Sequence, residues 1–342
     1  MHFQCIVVEF KSKIKNQKSK VSLQRSAYIF PGQGSQYAGM GRELAESSAA
    51  AREVFADADD ALGFALSELC FSGPAEALQL TENTQPSILT TSVAALRAAE
   101  EAGLPPPAFV AGHSLGEYSA LVAAGALKLA DAVRTVRARG RYMQEAVPVG
   151  VGAMAAILGA GVEIVEEACR EAQQGEVCSP ANINSPNQIV IAGNAGAVDR
   201  AIELLKARGA KRTIKLNVSA PFHCALMRPA QERLAADLEK IEFADLREPL
   251  VTNVDAQAIE SGVKTRESLV RQVSAPVRWR ETIDYLVAQG VSVFVEIGPG
   301  KVLSGLVRQT APGARCVNIE DRASLAAGRA ALAESDAVSS GN

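Results

Sequence analysis

The 342-residue chain predicts an α/β fold: a parallel sheet covered by helices on both faces, with a small ferredoxin-like subdomain inserted into it. Two observations carry this reading. Short apolar strands alternate with helical patterns along both ends of the chain, which implies parallel strands joined by crossover helices. The middle of the chain instead spells β-α-β-β-α-β, the ferredoxin-like order.

Residues 1–25 stand apart. Lys11 to Lys20 is basic and has no apolar face, and the apolar run before it, Cys5 to Val8, is too short for a signal-peptide core. We read this segment as a leader without regular structure; as an organellar targeting peptide it would alter only the location. A first strand, Ala27–Phe30, then breaks into the loop "PGQGSQ". Helical patterns follow at Ala49–Leu62 and Gln85–Ala102. "PAFVAGHSLGEYSALVAAG" reads as a strand, a sharp turn and a helix ending near Gly125, and a further helix covers Asp131–Ala146. These elements, residues 26–147, resume after the insertion as 218–320, with strands near 250–253 and 292–297.

The insertion, residues 148–217, contains a strand at Gly152–Leu158 and a helix at Val162–Gln173. Strands at Val177–Ile183 and Gln188–Ala192 flank the turn signal Asn184-Ser185-Pro186-Asn187. A helix at Ala195–Ala207 and a strand at Lys211–Asn217 complete it. Residues 321–342 form a C-terminal helix and an irregular tail from about Ser335.

Composition narrows the function classes. A net charge of −3 gives no basic signature for nucleic acid. No apolar run reaches the roughly 20 residues that span a bilayer. Six cysteines include no C-x-x-C pair, and only three histidines exist, so neither a zinc site nor a disulfide framework is expected. A reduced, cytoplasmic setting without metal or cofactor fits.

The chemistry centres on Gly112-His113-Ser114-Leu115-Gly116. G-x-S-x-G between a strand and a helix is a nucleophile elbow. Glycine at 112 and 116 lets the chain turn tightly, and Ser114 is left exposed at a helix N-terminus, with the N–H of Leu115 facing the place where an oxyanion forms. A serine nucleophile takes a base, most often histidine. His2 falls in the leader. His113 adjoins Ser114 and its side chain leaves the turn in another direction. His223, where a strand end meets a loop in "NVSAPFHCALM", remains as the base. The acid of a hydrolase triad has no convincing candidate; Asp131 and Asp199 are available, but neither stands in a strand-end loop. In "ADAVRTVRARGRYMQEA", Arg134, Arg137 and Arg141 share a solvated face, whereas Arg139 lies on the apolar stripe of Ala132, Val136 and Met143. An arginine there is costly unless it meets an anion: it either snorkels to solvent or joins an internal salt bridge, or its guanidinium fork holds a substrate carboxylate.

Several stretches together resemble malonyl-CoA:acyl carrier protein transacylase of bacterial type II fatty acid synthesis: "FPGQGSQ" (30–36), "GHSLGEYSAL" (112–121), Arg139-Gly140, "PANINSP" (180–186), "NVDA" (253–256), "LVRQ" (269–272) and "EIGPGKVLSGL" (296–306). The resemblance covers about Ser26 to Glu320. It implies a hydrolase-like large domain carrying the ferredoxin-like insertion. It also implies a malonyl ester on Ser114, His223 as general base and acid, Arg139 on the malonyl carboxylate, and the N–H groups of Gln33 and Leu115 as the oxyanion hole. Gln272 would orient His223 through its main-chain carbonyl, in place of the missing acid. Phe222, before the histidine, goes with unbranched malonyl in related acyltransferases. The implied partners are malonyl-CoA and acyl carrier protein, with the enzyme as a monomer. An acyltransferase of a polyketide pathway is the alternative, then a serine esterase or thioesterase. A phosphate binder is disfavoured: Tyr37 stands where G-x-G-x-x-G needs glycine.

Overall fold

The computed structural model describes residues 25–218 and 220–340. Among these residues ten strands form two sheets. They are β1 (Arg25–Phe30), β2 (Phe109–Gly112), β3 (Gly152–Leu158), β4 (Cys178–Ser185), β5 (Gln188–Asn194), β6 (Arg212–Lys215), β7 (Leu250–Val251), β8 (Ala258–Ile259), β9 (Val291–Ile297) and β10 (Arg315–Ile319).

The larger sheet has the order β10-β9-β1-β2-β7-β8. Every pairing in it is parallel except that of β7 with the edge strand β8. β1 shows why its sequence is apolar without alternation. Tyr28 and Phe30 enter the core under the helices Ala49–Leu62, Thr81–Glu101 and Leu129–Glu145, while Ala27 and Ile29 enter a second core with Phe294, Trp279 and Ile283 on the opposite face. A strand buried on both faces has no polar side to show. Trp279 is fully buried, and its truncation to alanine is expected to cost about 3–5 kcal/mol.

The smaller sheet is antiparallel, in the order β4-β5-β3-β6. Its first strand, β3, is thus central and its last, β6, is an edge. The helices Val162–Ala172 and Ala195–Ala207 cover one face, closing a core that includes Ile157, Val165, Ile191 and Leu205. The other face, with Met154, Val190 and Ala192, packs on Cys224, the neighbour of His223. A parallel bridge between Asn182 and Val277 ties β4 to the larger body, with Ile183 N–H donating to Val277 O and Val277 N–H to Ala181 O, each at 2.9 Å.

Two edge strands, β8 and β10, escape the sequence reading. Of β10, only Val317 and Ile319 are buried, so its pattern is too polar to stand out. The expected leader lies outside the described residues except Arg25, which opens β1. The C-terminal tail differs from expectation: the helix Arg322–Ser340 continues through the stretch read as irregular. Among the described residues no helix is long and apolar enough to cross a membrane, and no cluster of His, Cys, Asp and Glu has the makings of a metal site.

Candidate active site

Parallel strands end at a common edge, and the loops leaving that edge collect functional groups. Here β1 delivers Gln33, β2 delivers Ser114 and β7 delivers Asn253. Ser114 has φ 52°, an uncommon conformation for a residue with a side chain. The flanking glycines show what enforces it. A Cβ on Gly112 would lie 1.9 Å from the carbonyl carbon of Gly116, and one on Gly116 would lie 2.0 Å from the carbonyl oxygen of Phe30. No side chain fits at either position. Asn253 fastens the turn from outside: its Oδ1 accepts from Ser114 N–H and its Nδ2 donates to Gly112 O, both at 2.7 Å.

Ser114 Oγ lies 2.7 Å from His223 Nε2, and His223 Nδ1 lies 2.9 Å from the main-chain oxygen of Gln272. A carbonyl only accepts, so Nδ1 carries the proton and Nε2 offers its lone pair to the serine hydroxyl. Among the described residues no carboxylate stands behind the histidine. Asp131 sits beside Arg134 and Asp199 pairs with Lys215, both in exposed ion pairs far from this chain of contacts. Burial, reinforced by the positive charge of Arg139, pushes His223 down to about 3. The imidazole is neutral across the physiological range, a weaker base than free imidazole but with its Nε2 lone pair on the serine hydroxyl.

Arg139 is 1% exposed, on the core side of its helix. Its Nη1 donates to Gln85 Oε1 at 2.8 Å; its Nη2 donates to Ser114 Oγ and to Gln272 Oε1, each at 3.0 Å. All three acceptors are neutral. The guanidinium also lies 5.7 Å from the ring centre of Tyr118. A buried cation whose hydrogen-bond acceptors are all neutral, with Glu117 acting on it only through space, is poorly compensated and suits an incoming anion. Arg134 and Arg141, by contrast, lie exposed beside acidic neighbours on their own helix.

Neither Gln33 nor Leu115 uses its main-chain N–H in a hydrogen bond within the described residues. Leu115 adjoins Ser114 in the elbow itself, and Gln33 lines the same crevice as the serine. His113 turns away from the nucleophile: its Nε2 meets Asn184 Oδ1 at 2.8 Å, and its ring lies against Trp279. Burial lowers its basicity too. It joins the larger sheet to β4 and does not touch the serine oxygen.

Residues 27–326 match the model of the acyl transferase domain family. The chain belongs to the acyl transferase domain family. It is 52% identical over 283 residues to the malonyl CoA-acyl carrier protein transacylase of Escherichia coli K12, covering 83% of this chain and 92% of that one. Its fold is similar to that of an acyl carrier protein S-malonyltransferase from Vibrio cholerae, with a TM-score of 0.87 and 48% identity over 89% of this chain and 99% of the other. A malonyl-transacylase solved in complex with its type II polyketide synthase acyl-carrier protein matches equally well, at a TM-score of 0.87, 48% identity and the same 89% and 99% coverage.

In this acyl transferase the serine opens into a crevice of about 830 Å³ between the two sheets. Gln33, Arg139 and His223 line it from one side, Met154 and Asn182 from the other, and Phe222 stands beside the histidine. Three polar residues of the acyl transferase site were not singled out in the sequence. Gln85 supplies an acceptor to Arg139, Asn253 staples the elbow, and Glu117 is a fully buried carboxylate three residues after Ser114. Glu117 Oε2 accepts from Asn253 N–H at 3.0 Å and Gln272 Nε2 at 2.9 Å. Burial pushes its carboxyl up to about 7, against those two hydrogen bonds and the charge of Arg139. The signal for Glu117 was its place in the first turn after a nucleophile elbow, on a helix with no polar face.

Proposed function

We propose that the protein transfers the malonyl group of malonyl-CoA to the phosphopantetheine thiol of holo acyl carrier protein, through an ester on Ser114, and so supplies fatty acid synthesis. The carrying observation is the placement of a buried, anion-seeking guanidinium 3.0 Å from a serine oxygen that a neutral histidine also touches.

In the first half, Ser114 Oγ attacks the thioester carbonyl and its proton passes to His223 Nε2. The new C–O bond forms as the carbonyl π pair moves onto oxygen, between the N–H groups of Gln33 and Leu115. The oxyanion collapses, the C–S bond breaks, and the sulfur leaves with the proton from His223. Gln272 O accepts from Nδ1–H throughout and keeps the ring in register. In the second half the carrier thiol gives its proton to His223 and attacks the ester, and the serine oxygen recovers a proton as it leaves. The malonyl carboxylate rests on Arg139 in both halves. Phe222 narrows the crevice beside the reacting carbon and favours the unbranched acyl group.

The same reading takes the enzyme as a monomer acting in the cytoplasm, with no metal or cofactor. Burst and steady-state kinetics test transfer against hydrolysis. Malonyl-CoA alone should release about one equivalent of CoA and then stall, with turnover resuming on addition of holo carrier. Rapid continuous CoA release without the carrier would make the protein a thioesterase. A polyketide carrier as acceptor is the second reading, favoured by the likeness to the transacylase solved with such a carrier; competition between the two carriers for malonyl-enzyme separates them.

A further inference from the structure

Glu117 touches neither the serine oxygen nor the histidine, and no step above uses it. It is also costly: a fully buried carboxylate whose Oε1 has no hydrogen-bond partner among the described residues. Packing alone would be served better by an apolar side chain. What the carboxylate does is accept, at Oε2, from Gln272 Nε2 and from Asn253 N–H.

The Gln272 side chain is a primary amide, with one donating end and one accepting end. Its Nε2 donates to Glu117 Oε2 at 2.9 Å and to Ser114 O at 3.0 Å, which turns its Oε1 onto Arg139 Nη2 at 3.0 Å. With the amide reversed, an NH₂ group would face the guanidinium, donor against donor. Glu117 Oε2 acts here as an acceptor, as the main-chain oxygen of Ser114 does, and together they specify which way the amide lies. Asn253 carries the second arm, its N–H on Glu117 and its side chain on the serine turn.

We propose that Glu117 is a positioning residue for the acyl-carboxylate fork: through the Gln272 amide it sets where Arg139 stands relative to Ser114. This rests on the reading of Arg139 as the malonyl-carboxylate partner.

The experiment measures kcat/KM with malonyl-CoA and acetyl-CoA for the full-length enzyme and its E117M, E117Q, Q272M and R139A variants. E117M is expected to lose about a hundred-fold with malonyl-CoA and about tenfold or less with acetyl-CoA, because a misplaced fork matters only to a donor with a free carboxylate. E117Q keeps an acceptor oxygen and should recover most of that loss. The E117M/Q272M pair should be no worse than the worse single variant, as one relay predicts. Equal losses for both donors in E117M, no recovery in E117Q, or additive losses in the pair would overturn the proposal. If E117M does not fold, Q272M decides: donor-selective loss supports the relay and unselective loss refutes it. R139A separates the two levels. If it shows no donor selectivity, the carboxylate reading itself fails; if it does and E117M does not, only the role of Glu117 fails.

Discussion

Arg139 Nη2 lies 3.0 Å from Ser114 Oγ, although the two belong to different helical units of the chain. The contact places a full positive charge beside the oxygen proposed to carry the acyl group. An acyl group on that oxygen has the guanidinium within reach of whatever its far end carries. A malonyl group brings a carboxylate to it, and an acetyl group brings a methyl.

Replacing Arg139 with alanine therefore separates the two donors. Leaving the malonyl carboxylate unpaired in a buried crevice should cost about 3–5 kcal/mol, or roughly a hundred- to several-thousand-fold in kcat/KM. The loss with acetyl-CoA should be much smaller. Parallel kinetics with both donors check this; equal losses would remove Arg139 from substrate recognition.

The pH profile should reflect a histidine that is hard to protonate. His223 falls from an ordinary 6.5 to about 3 in the fold. It therefore stays unprotonated as pH falls through 6.5, and kcat/KM for acetyl-CoA should show no acid limb from this group between pH 8 and 5. In R139A the neighbouring charge is gone, and the limb should move to higher pH. A wild-type limb near 6.5 would contradict the burial argument. The same shift bears on stability: unfolded His223 takes up a proton below about 6.5 while the buried one does not, so its contribution is full above 6.5 and is lost as pH falls toward 3.

Glu117 pulls the other way. Its folded value, about 7, stands above its ordinary 4.5. Between those values the folded state binds the extra proton, so this carboxyl costs stability as pH rises from 4.5 through 7, by about 3 kcal/mol at most. Thermal unfolding of E117Q against the wild type should show the variant gaining relative stability at pH 8 compared with pH 5. A pH-independent difference would mean that the carboxyl is not titrating in the fold.

The elbow glycines admit no side chain. Gly112→Ala and Gly116→Ala each drive a Cβ to within 2.0 Å of backbone, and rigid backbone cannot yield as a side-chain tip does. Each should lose about 3 kcal/mol or more, visible as a fall in unfolding temperature together with loss of activity. Full stability in either would mean that the turn is looser than described.

Much of this site was legible because the chemistry forces unusual residues into regular patterns. Gly112 and Gly116 bracket a serine, and Arg139 sits on an apolar stripe where only a partner explains it. His223 emerged by counting, since three histidines leave few choices. Glu117 and Gln85 stayed hidden for a physical reason. Glu117 reads as an ordinary acidic residue in a first helical turn, and Gln85 opens a run of small polar residues that are all buried, among them Ser87, Thr90 and Thr91. Their meaning depends on what faces them across the fold, which periodicity does not carry. β10 was missed on similar grounds, as a half-exposed edge is patterned too weakly to register.

The central claim is that Ser114 carries the acyl group. Intact mass measured after brief mixing with malonyl-CoA tests it most directly, in the wild type and in Ser114→Ala. The account predicts a single malonyl adduct on the wild type, discharged by holo acyl carrier protein, and none on the variant. An unmodified wild type, or an adduct that survives the substitution, would contradict it.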